Sequence, residues 1–328
     1  MEALVSTIIP TIGRTRLLED AISSALNQRG VEQEVIVVVD DIEAYSGVLS
    51  ACSAYNVRVV VNDGRPGPAG ARNYGVNISK GDYIAFLDDD DIWHPEKLKS
   101  QVAVFNENSN DVGVVFCQAV YYDSTTGVIR YTKREVDAFT KMSDIITGIK
   151  INGPPTALFK KHCFNDAGAF DENISYWEDQ ELYARVCRLC AIISMPDIMT
   201  LIRVNHGYNR LTDQDSINCK RSAEALKYIY EKHELDIEGE MGTKMLVRVA
   251  QEYLKAKEFK RSTVATLHAC VKYRLNIRPL LVMMRMIFRG VGVRGREKKT
   301  ALDEPYYGLT DENRIKEVEL LLKMIGNI

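Results

Sequence analysis

Four consecutive carboxylates, Asp88-Asp89-Asp90-Asp91, stand directly after the short apolar run Tyr83-Ile84-Ala85-Phe86-Leu87. Adjacent anions repel one another, and some would take up protons if left alone. A divalent cation removes that repulsion. Hard oxygen ligands in this number suit Mg²⁺ or Mn²⁺, and such an ion would in turn hold a substrate diphosphate. Asp91 could instead cap the helix expected after Pro95, but one cap needs one carboxylate rather than four. A second place for acid–base chemistry is Glu178-Asp179, two acids at the predicted start of a helix. The helix dipole alone would favour acids there. A carboxylate in that position could also take the proton of a substrate hydroxyl.

These groups need a scaffold, and the surrounding pattern predicts one. Leu4–Ile9, Val35–Val39, Val57–Val61 and Tyr83–Leu87 are β-rich apolar runs separated by helical patterns, the first of them Thr15 to about Gln28. Thr15 is the expected N-cap, with Leu18, Ile22, Ala25 and Leu26 on the inward face. Strands alternating with helices imply an α/β fold with a parallel sheet in three layers. Three of the runs end in acids and the first ends at Pro10-Thr11, so all four ends should line one edge of the sheet, where open α/β sheets bind ligands. The loop Gly64-Arg65-Pro66-Gly67-Pro68-Ala69-Gly70 has GxxGxxG spacing, two prolines, and follows the third run rather than the first, so it is not a dinucleotide fingerprint. The helix after it, about Ala69–Asn77, carries Arg72 and Asn73 on its first turns, where Arg72 and the helix amides could face an anion.

Farther on, Pro95 suits the first turn of a helix with Leu98, Val102 and Phe105 inward. Val112–Val120 and Val128–Thr132 read as a hairpin around Ser124-Thr125-Thr126-Gly127, and Thr156–Phe159 as another strand. Leu182, Val186 and Leu189 form the inward stripe of the helix opened by Glu178, and Ile192–Met195 and Ile198–Arg203 read as two β segments. From Asp213 onward the pattern is helical.

Composition bounds the rest. The 328 residues are 46% hydrophobic and 27% charged, ordinary for a globular protein, and a net charge of −3 argues against a dedicated nucleic-acid binder. The seven cysteines are scattered, and the one CxxC pair, Cys187 and Cys190, has no second pair to complete a zinc site. No stretch reaches the length of a spanning helix and no cleavage signal opens the chain, so the reading is cytoplasmic with reduced thiols. The stretch about 274–299 combines eight arginines and lysines within or beside an apolar run rich in Met and Leu; it would suit either the surface of an anionic membrane or packing on protein.

Taken in order, Ser6-Thr7-Ile8-Ile9-Pro10-Thr11, Ala25-Leu26-Asn27-Gln28, Ala71-Arg72-Asn73-Tyr74-Gly75 and Lys80-Gly81-Asp82-Tyr83 through Asp91 resemble the family 2 glycosyltransferases of GT-A fold. Gly168-Ala169-Phe170-Asp171-Glu172 before Glu178-Asp179 resembles the same family. The resemblance covers roughly the first two-thirds of the chain. It implies a GT-A catalytic domain over 1–210, with a nucleotide-sugar half to about 110 and an acceptor half over 111–210, followed by a helical C-terminal extension over 211–328. It implies an Asp-x-Asp motif at Asp88-Asp89-Asp90, with Asp90 on a Mn²⁺ or Mg²⁺ ion and Asp88 or Asp89 toward the ribose. Pro10, Thr11, Arg14 and Arg72 match positions lining the nucleotide pocket. Asp40 or Asp41 would read the base edge, although Ile42-Glu43 replaces the Gly-Ser usual after that acid. His206 would lie near the metal.

The function implied is an inverting glycosyltransferase that moves a sugar from a nucleotide-diphospho-sugar, a UDP-sugar, to an acceptor hydroxyl. Asp179 would be the base, with Glu178 or Asp171 as second choices. The expected setting is bacterial surface polysaccharide or glycoconjugate synthesis, on a glycan or lipid-linked glycan acceptor. Lys133–Lys150 is a candidate acceptor loop, and 274–299 a candidate contact with the inner face of the plasma membrane. A metal-dependent nucleotidyltransferase would instead carry a glycine-rich basic loop after the first strand, which Pro10-Thr11-Ile12-Gly13-Arg14 does not match. A non-catalytic nucleotide-sugar-binding protein would bind the same ligand without turnover.

Overall fold

The computed structural model describes residues 4–108, 111–131, 152–208, 216–237, 239–272, 306–307 and 312–325. The candidate acceptor loop at 133–150 and the basic stretch at 274–299 lie outside these residues.

The first half is built as alternating strands and helices. Strand β1 (Leu4–Thr11) leads to helix α1 (Thr15–Leu26), β2 (Glu32–Val39), α2 (Tyr45–Cys52), β3 (Arg58–Val61), α3 (Pro68–Ile78) and β4 (Tyr83–Phe86). These strands are parallel in the order β4, β1, β2, β3. Thr11 pairs with Val39 and Val39 with Val61, so the carboxyl ends fall along one edge. Alternation along β2 shows why the sheet is covered on both faces. Val35, Val37 and Val39 pack in one cluster with Leu18 and Ile22 of α1, whereas Ile36 and Val38 join a second cluster with Val76 of α3. Side chains two apart share a face, so a run of β-branched residues buries both layers. Helix α3 lies very close to β1: a Cβ added at Gly75 would come within 2.5 Å of Ile8 Cγ2.

The chain continues through β5 (Ile92–Trp93), α4 (Lys97–Glu107), β6 (Val112–Asp123), β7 (Ile129–Tyr131), β8 (Ala157–Lys160), α5 (Lys161–Asp166), α6 (Glu178–Val186) and β9 (Ala191–Val204). The fold departs from a purely parallel sheet here. β8 inserts antiparallel between β4 and β6. β9 runs parallel to β6, while the two-residue β5 pairs antiparallel with β9, Ile92 opposite Leu201. The two predicted β segments before Arg203 are thus one strand, with irregular register near Gln118 where Pro196 interrupts pairing. Helices α7 (Ser216–Lys232), α8 (Gly239–Lys255) and α9 (Phe259–Lys272) follow, then β10 (Tyr306–Tyr307) beside β7 and helix α10 (Glu312–Lys323). Ile229, Tyr230, Met245 and Leu246 of α7 and α8 share a buried cluster with Phe164, Phe170 and Leu182. Each such side chain contributes roughly 1.5–3 kcal/mol on burial, so these helices are held to the sheet by a common core.

Three local expectations need correction. Thr15 is the first helical residue, not the cap; Arg14 occupies the N-cap position without a side-chain cap bond. The backbone carbonyl of Arg14 accepts from Leu17 and Leu18, while its guanidinium is drawn away to two aspartates. The helix after Pro95 begins at Lys97, because Pro95 and Glu96 form the turn before it. Leu189 is 55% exposed, since α6 ends at Val186 and the chain turns there toward β9.

Candidate active site

Antiparallel pairing of β5 with β9 decides who meets the acids. Asp90 and Asp91 lead into β5, and residues at and just past the end of β9 must therefore lie beside them. The backbone amide of Arg203 donates to Asp91 Oδ1 at 3.1 Å. His206 Nε2 lies 2.9 Å from Asp90 Oδ2. From β1, Thr11 Oγ1 donates to Asp89 Oδ2 at 2.5 Å. Arg14 bridges two acids, donating from Nη1 to Asp90 Oδ2 at 3.0 Å and from Nη2 to Asp89 Oδ1. Burial pushes the Asp89 carboxyl up to about 6, against the opposite pull of Arg14 and the Thr11 hydroxyl. Burial also works against the Arg14 charge, but Asp89 and Asp90 outweigh it and hold the guanidinium above its ordinary pKa.

One oxygen from each of Asp88, Asp90 and Asp91 falls within 4.8 Å of the others. Three hard oxygen donors converging at that spacing fit a divalent cation of the Mg²⁺ or Mn²⁺ type. The set adds Asp88 and Asp91 to Asp90, the ligand that the resemblance implies, and His206 approaches it through Asp90.

The two acids after β2 have different partners. Asp40 accepts from Asn62 Nδ2 at 2.7 Å and from the amide of Gly67 at 2.8 Å, so it fastens the loop before α3. Asp41 is exposed and accepts from the amide of Glu43 at 3.0 Å, capping a short 3₁₀ turn. Pro10 precedes Thr11 at the end of β1, partly buried.

Arg72, on α3 and only 4% exposed, ties the two halves of the site together. Its Nη2 donates to Asp88 Oδ1 at 2.7 Å and its Nη1 to Glu178 Oε1 at 3.1 Å. Burial opposes the guanidinium charge, yet Asp88 and Glu178 raise its pKa above the usual value. The neighbouring Asn73 donates to the carbonyl of Phe170 at 2.9 Å and to Glu172 at 2.8 Å, so α3 also fixes the approach to α6.

Of the three acids considered for the base, Glu178 is engaged by Arg72, and Asp171 by Lys232 Nζ at 2.5 Å. Despite some burial, the bonds from Lys232 and Asn173 keep the Asp171 carboxyl below its ordinary range, which makes it a weak base. Asp179 differs. Its Oδ1 accepts the amide of Gln180, at 2.8 Å, and no Lys or Arg nitrogen among the described residues lies within ion-pair distance. Burial, reinforced by the Glu178 charge, pushes its carboxyl up to about 7, with Gln180 and Arg72 pulling the other way. A carboxylate poised near neutrality and free of a cation is suited to accept a proton. Gly153 packs against it: a Cβ there would stand 4.0 Å from Asp179 Oδ2, in van der Waals contact. Among the described residues, Asn152 Oδ1, next to Gly153, and the Tyr183 hydroxyl, one turn along α6, are buried without a hydrogen-bond partner.

Sequence reasoning missed the Arg72–Glu178 link and the loop-fastening role of Asp40. They join residues 106 and 22 positions or more apart.

Comparison with known proteins agrees with this architecture. The family model described as glycosyl transferase family 2 matches residues 6–168. An uncharacterized glycosyltransferase of Rickettsia typhi is 28% identical over 233 residues, covering 68% of this chain and 70% of that protein. The UDP-Glc:alpha-D-GlcNAc-diphosphoundecaprenol beta-1,3-glucosyltransferase WfgD of Escherichia coli is 34% identical over 107 residues, 32% of this chain and 42% of its own length. The structure of the mannosyltransferase PcManGT from Pyrobaculum calidifontis, in complex with GDP-Man and Mn²⁺, matches with a TM-score of 0.53 at 16% identity, over 100% of this chain and 86% of that one. At that identity the likeness defines the fold, which is GT-A. The chain belongs to glycosyl transferase family 2 and is a glycosyltransferase.

Proposed function

We propose that the protein transfers a glycosyl unit from a nucleotide-diphospho-sugar, a UDP-sugar, to an acceptor hydroxyl with inversion, in the synthesis of a bacterial polysaccharide or glycoconjugate. The observation that carries this reading is Asp179: a carboxylate with a raised pKa and no ion pair among the described residues, linked to the acid edge through Glu178, Arg72 and Asp88. The acceptor hydroxyl is a poor nucleophile until a base takes its proton. Asp179 would take that proton as the oxygen attacks the anomeric carbon from the face opposite the diphosphate. Attack from that side by a single nucleophile gives inversion, through a transition state of oxocarbenium character. Asp88, Asp90 and Asp91 would hold Mn²⁺ or Mg²⁺, which when bound neutralises charge on the departing diphosphate. Arg14 and Arg72 would supply further positive charge on the same edge. WfgD, by its name, uses UDP-Glc and a diphosphoundecaprenol-linked sugar, which supports a UDP-sugar and a lipid-linked glycan here. No helix among the described residues is long and apolar enough to cross a membrane; contact with a lipid-borne acceptor would then be peripheral, with 274–299 as the candidate segment.

The test is turnover of a nucleotide-sugar panel by the parent protein and Asp179→Asn. Transfer by the variant should fall about 10²–10⁴-fold, while UDP still protects both proteins from heat in the presence of Mn²⁺. Full transfer by Asp179→Asn would refute the assignment. Asp90→Ala should lose the Mn²⁺-dependent part of that protection, because ligand binding to the folded state raises apparent stability.

A further inference from the structure

Asp179 owes its direction to the residue two before it. Trp177 is the N-cap of α6 and sits in the left-handed region, φ 62° and ψ 18°. A bulky side chain is uncommon there, and such a conformation persists only where the surroundings over-determine it. Its carbonyl accepts from the amide of Glu181 at 3.0 Å, which starts the helix. Glu178 and Asp179 follow immediately, so the backbone at Trp177 fixes where both acids point.

The groups that hold Trp177 come from the C-terminal helices. Its indole Nε1 donates to Ser222 Oγ on α7 at 2.8 Å. The Arg248 guanidinium, on α8, lies 4.1 Å from the ring centroid. Among the described residues Arg248 has no carboxylate at ion-pair distance, and its Nη1 is buried without a hydrogen-bond partner. A guanidinium desolvated against an aromatic face is held by the ring quadrupole. Arg248 feels the charge of Glu252, one turn along its own helix, and then that of Asp179. One turn along α6, the fully buried Glu181 accepts from Arg185 Nη2 at 2.6 Å, and Lys232 Nζ and His233 Nε2 each lie 2.9 Å from it. Helix α6 is therefore fastened to the same C-terminal layer at two points.

We propose that Ser222 and Arg248 are positioning residues for Asp179: by clamping Trp177 in its left-handed conformation, the C-terminal helices aim the carboxylate at the acceptor hydroxyl. This rests on the reading of Asp179 as base. The clamp puts residues beyond position 210 into the working site, so the C-terminal helices are part of the catalytic apparatus and not an appendage. The charged groups facing Asp179 are Glu178 from its own helix, Arg72 from α3 and Arg248 from α8, beside the neutral Tyr183 phenol.

The experiment compares Ser222→Ala, Arg248→Met, Arg248→Lys and Asp179→Asn in the full chain, reading kcat, KM and the pH dependence of kcat, with UDP and Mn²⁺ protection as a measure of binding. A misplaced catalytic group costs up to about a hundredfold in rate. Arg248→Met should lose about tenfold or more in kcat with UDP protection unchanged. Its acid limb should move to higher pH, because a lost positive charge disfavours the carboxylate. Arg248→Lys, which keeps a cation over the ring, should recover part of both. Ser222→Ala removes one hydrogen bond and should lower kcat without weakening UDP protection. Parent values of kcat and acid limb in both Arg248→Met and Ser222→Ala, with Asp179→Asn inactive, would overturn the clamp and leave the base in place. A fall in kcat accompanied by weaker UDP protection and an unmoved acid limb would reduce the clamp to general packing and also overturn it. An active Asp179→Asn would remove the base itself. Should Arg248→Met fail to fold, Ser222→Ala and Arg248→Lys carry the comparison.

Discussion

Glu178 and Asp179 are adjacent carboxylates with opposite fates. Arg72 neutralises the first, and the second is left to burial and to its neighbour's charge, which lift it to about 7. Two consequences follow for pH. Only the ionised carboxylate accepts a proton, so transfer should rise with pH through an acid limb near 7 and fall below it; a rate profile from pH 5 to 9 checks this, and a limb near 4 would contradict it. Stability should run the other way. In the unfolded chain an aspartate titrates near about 4, so between about 4 and 7 the folded protein holds a proton that the unfolded chain releases, and stability falls as pH rises across that window. Asp179→Asn removes the group. Its melting temperature, compared with the parent's, should gain more at pH 8 than at pH 5. The chemistry at this scale was partly legible beforehand. A run of four acids after a strand and an acid pair opening a helix are visible in one dimension. The Arg72 bridge between Asp88 and Glu178 is not, since it joins residues 106 positions apart and has no spacing to betray it.

At the scale of elements, the parallel core was readable because β-branched runs alternate with helical periodicity. The pairing that brings His206 to Asp90 was not, because β5 is two residues long and shows no period. Leu189 fits a helical stripe by spacing, but α6 stops at Val186 and leaves it in solvent. Spacing also cannot reveal how tightly the turn before α3 is wound. A Cβ on Gly70 would lie 1.8 Å from the carbonyl oxygen of Arg65, a backbone atom that cannot swing aside. Gly70→Ala must therefore displace the loop that Asp40 fastens through Asn62 and Gly67. Overpacking of this kind costs about 1–3 kcal/mol, measurable as a lower denaturant midpoint. Because the same loop flanks the edge proposed to bind the nucleotide, the UDP-dependent gain in melting temperature should shrink as well. An unchanged gain in a destabilised variant would separate the loop from nucleotide binding.

For the molecule as a whole, two parts of the C-terminal third support the site through separate clusters. Helices α7 and α8 share a core with Phe164, Phe170 and Leu182 behind the acid pair. Helix α10 reaches the other side: Val318, Leu321 and Leu322 form a cluster with Ile92, Ile198, Leu201 and Ile129. Ile92 directly follows Asp91 and is paired with Leu201, so this cluster backs the strand pair on which the acid triad and His206 depend. Leu321 is fully buried there. Leu321→Ala should cost about 2–5 kcal/mol through lost burial and the cavity left behind. If the cluster served stability alone, UDP with Mn²⁺ at a hundred times its dissociation constant would add the same increment, about 2.7 kcal/mol, to parent and variant. Loosening β5 should instead spread the oxygens of Asp88, Asp90 and Asp91 and weaken the bound ion. The variant should then show a smaller UDP–Mn²⁺ increment at fixed ligand concentration, recovered on raising Mn²⁺. Equal increments at every Mn²⁺ concentration would confine α10 to a structural role and detach it from the metal edge.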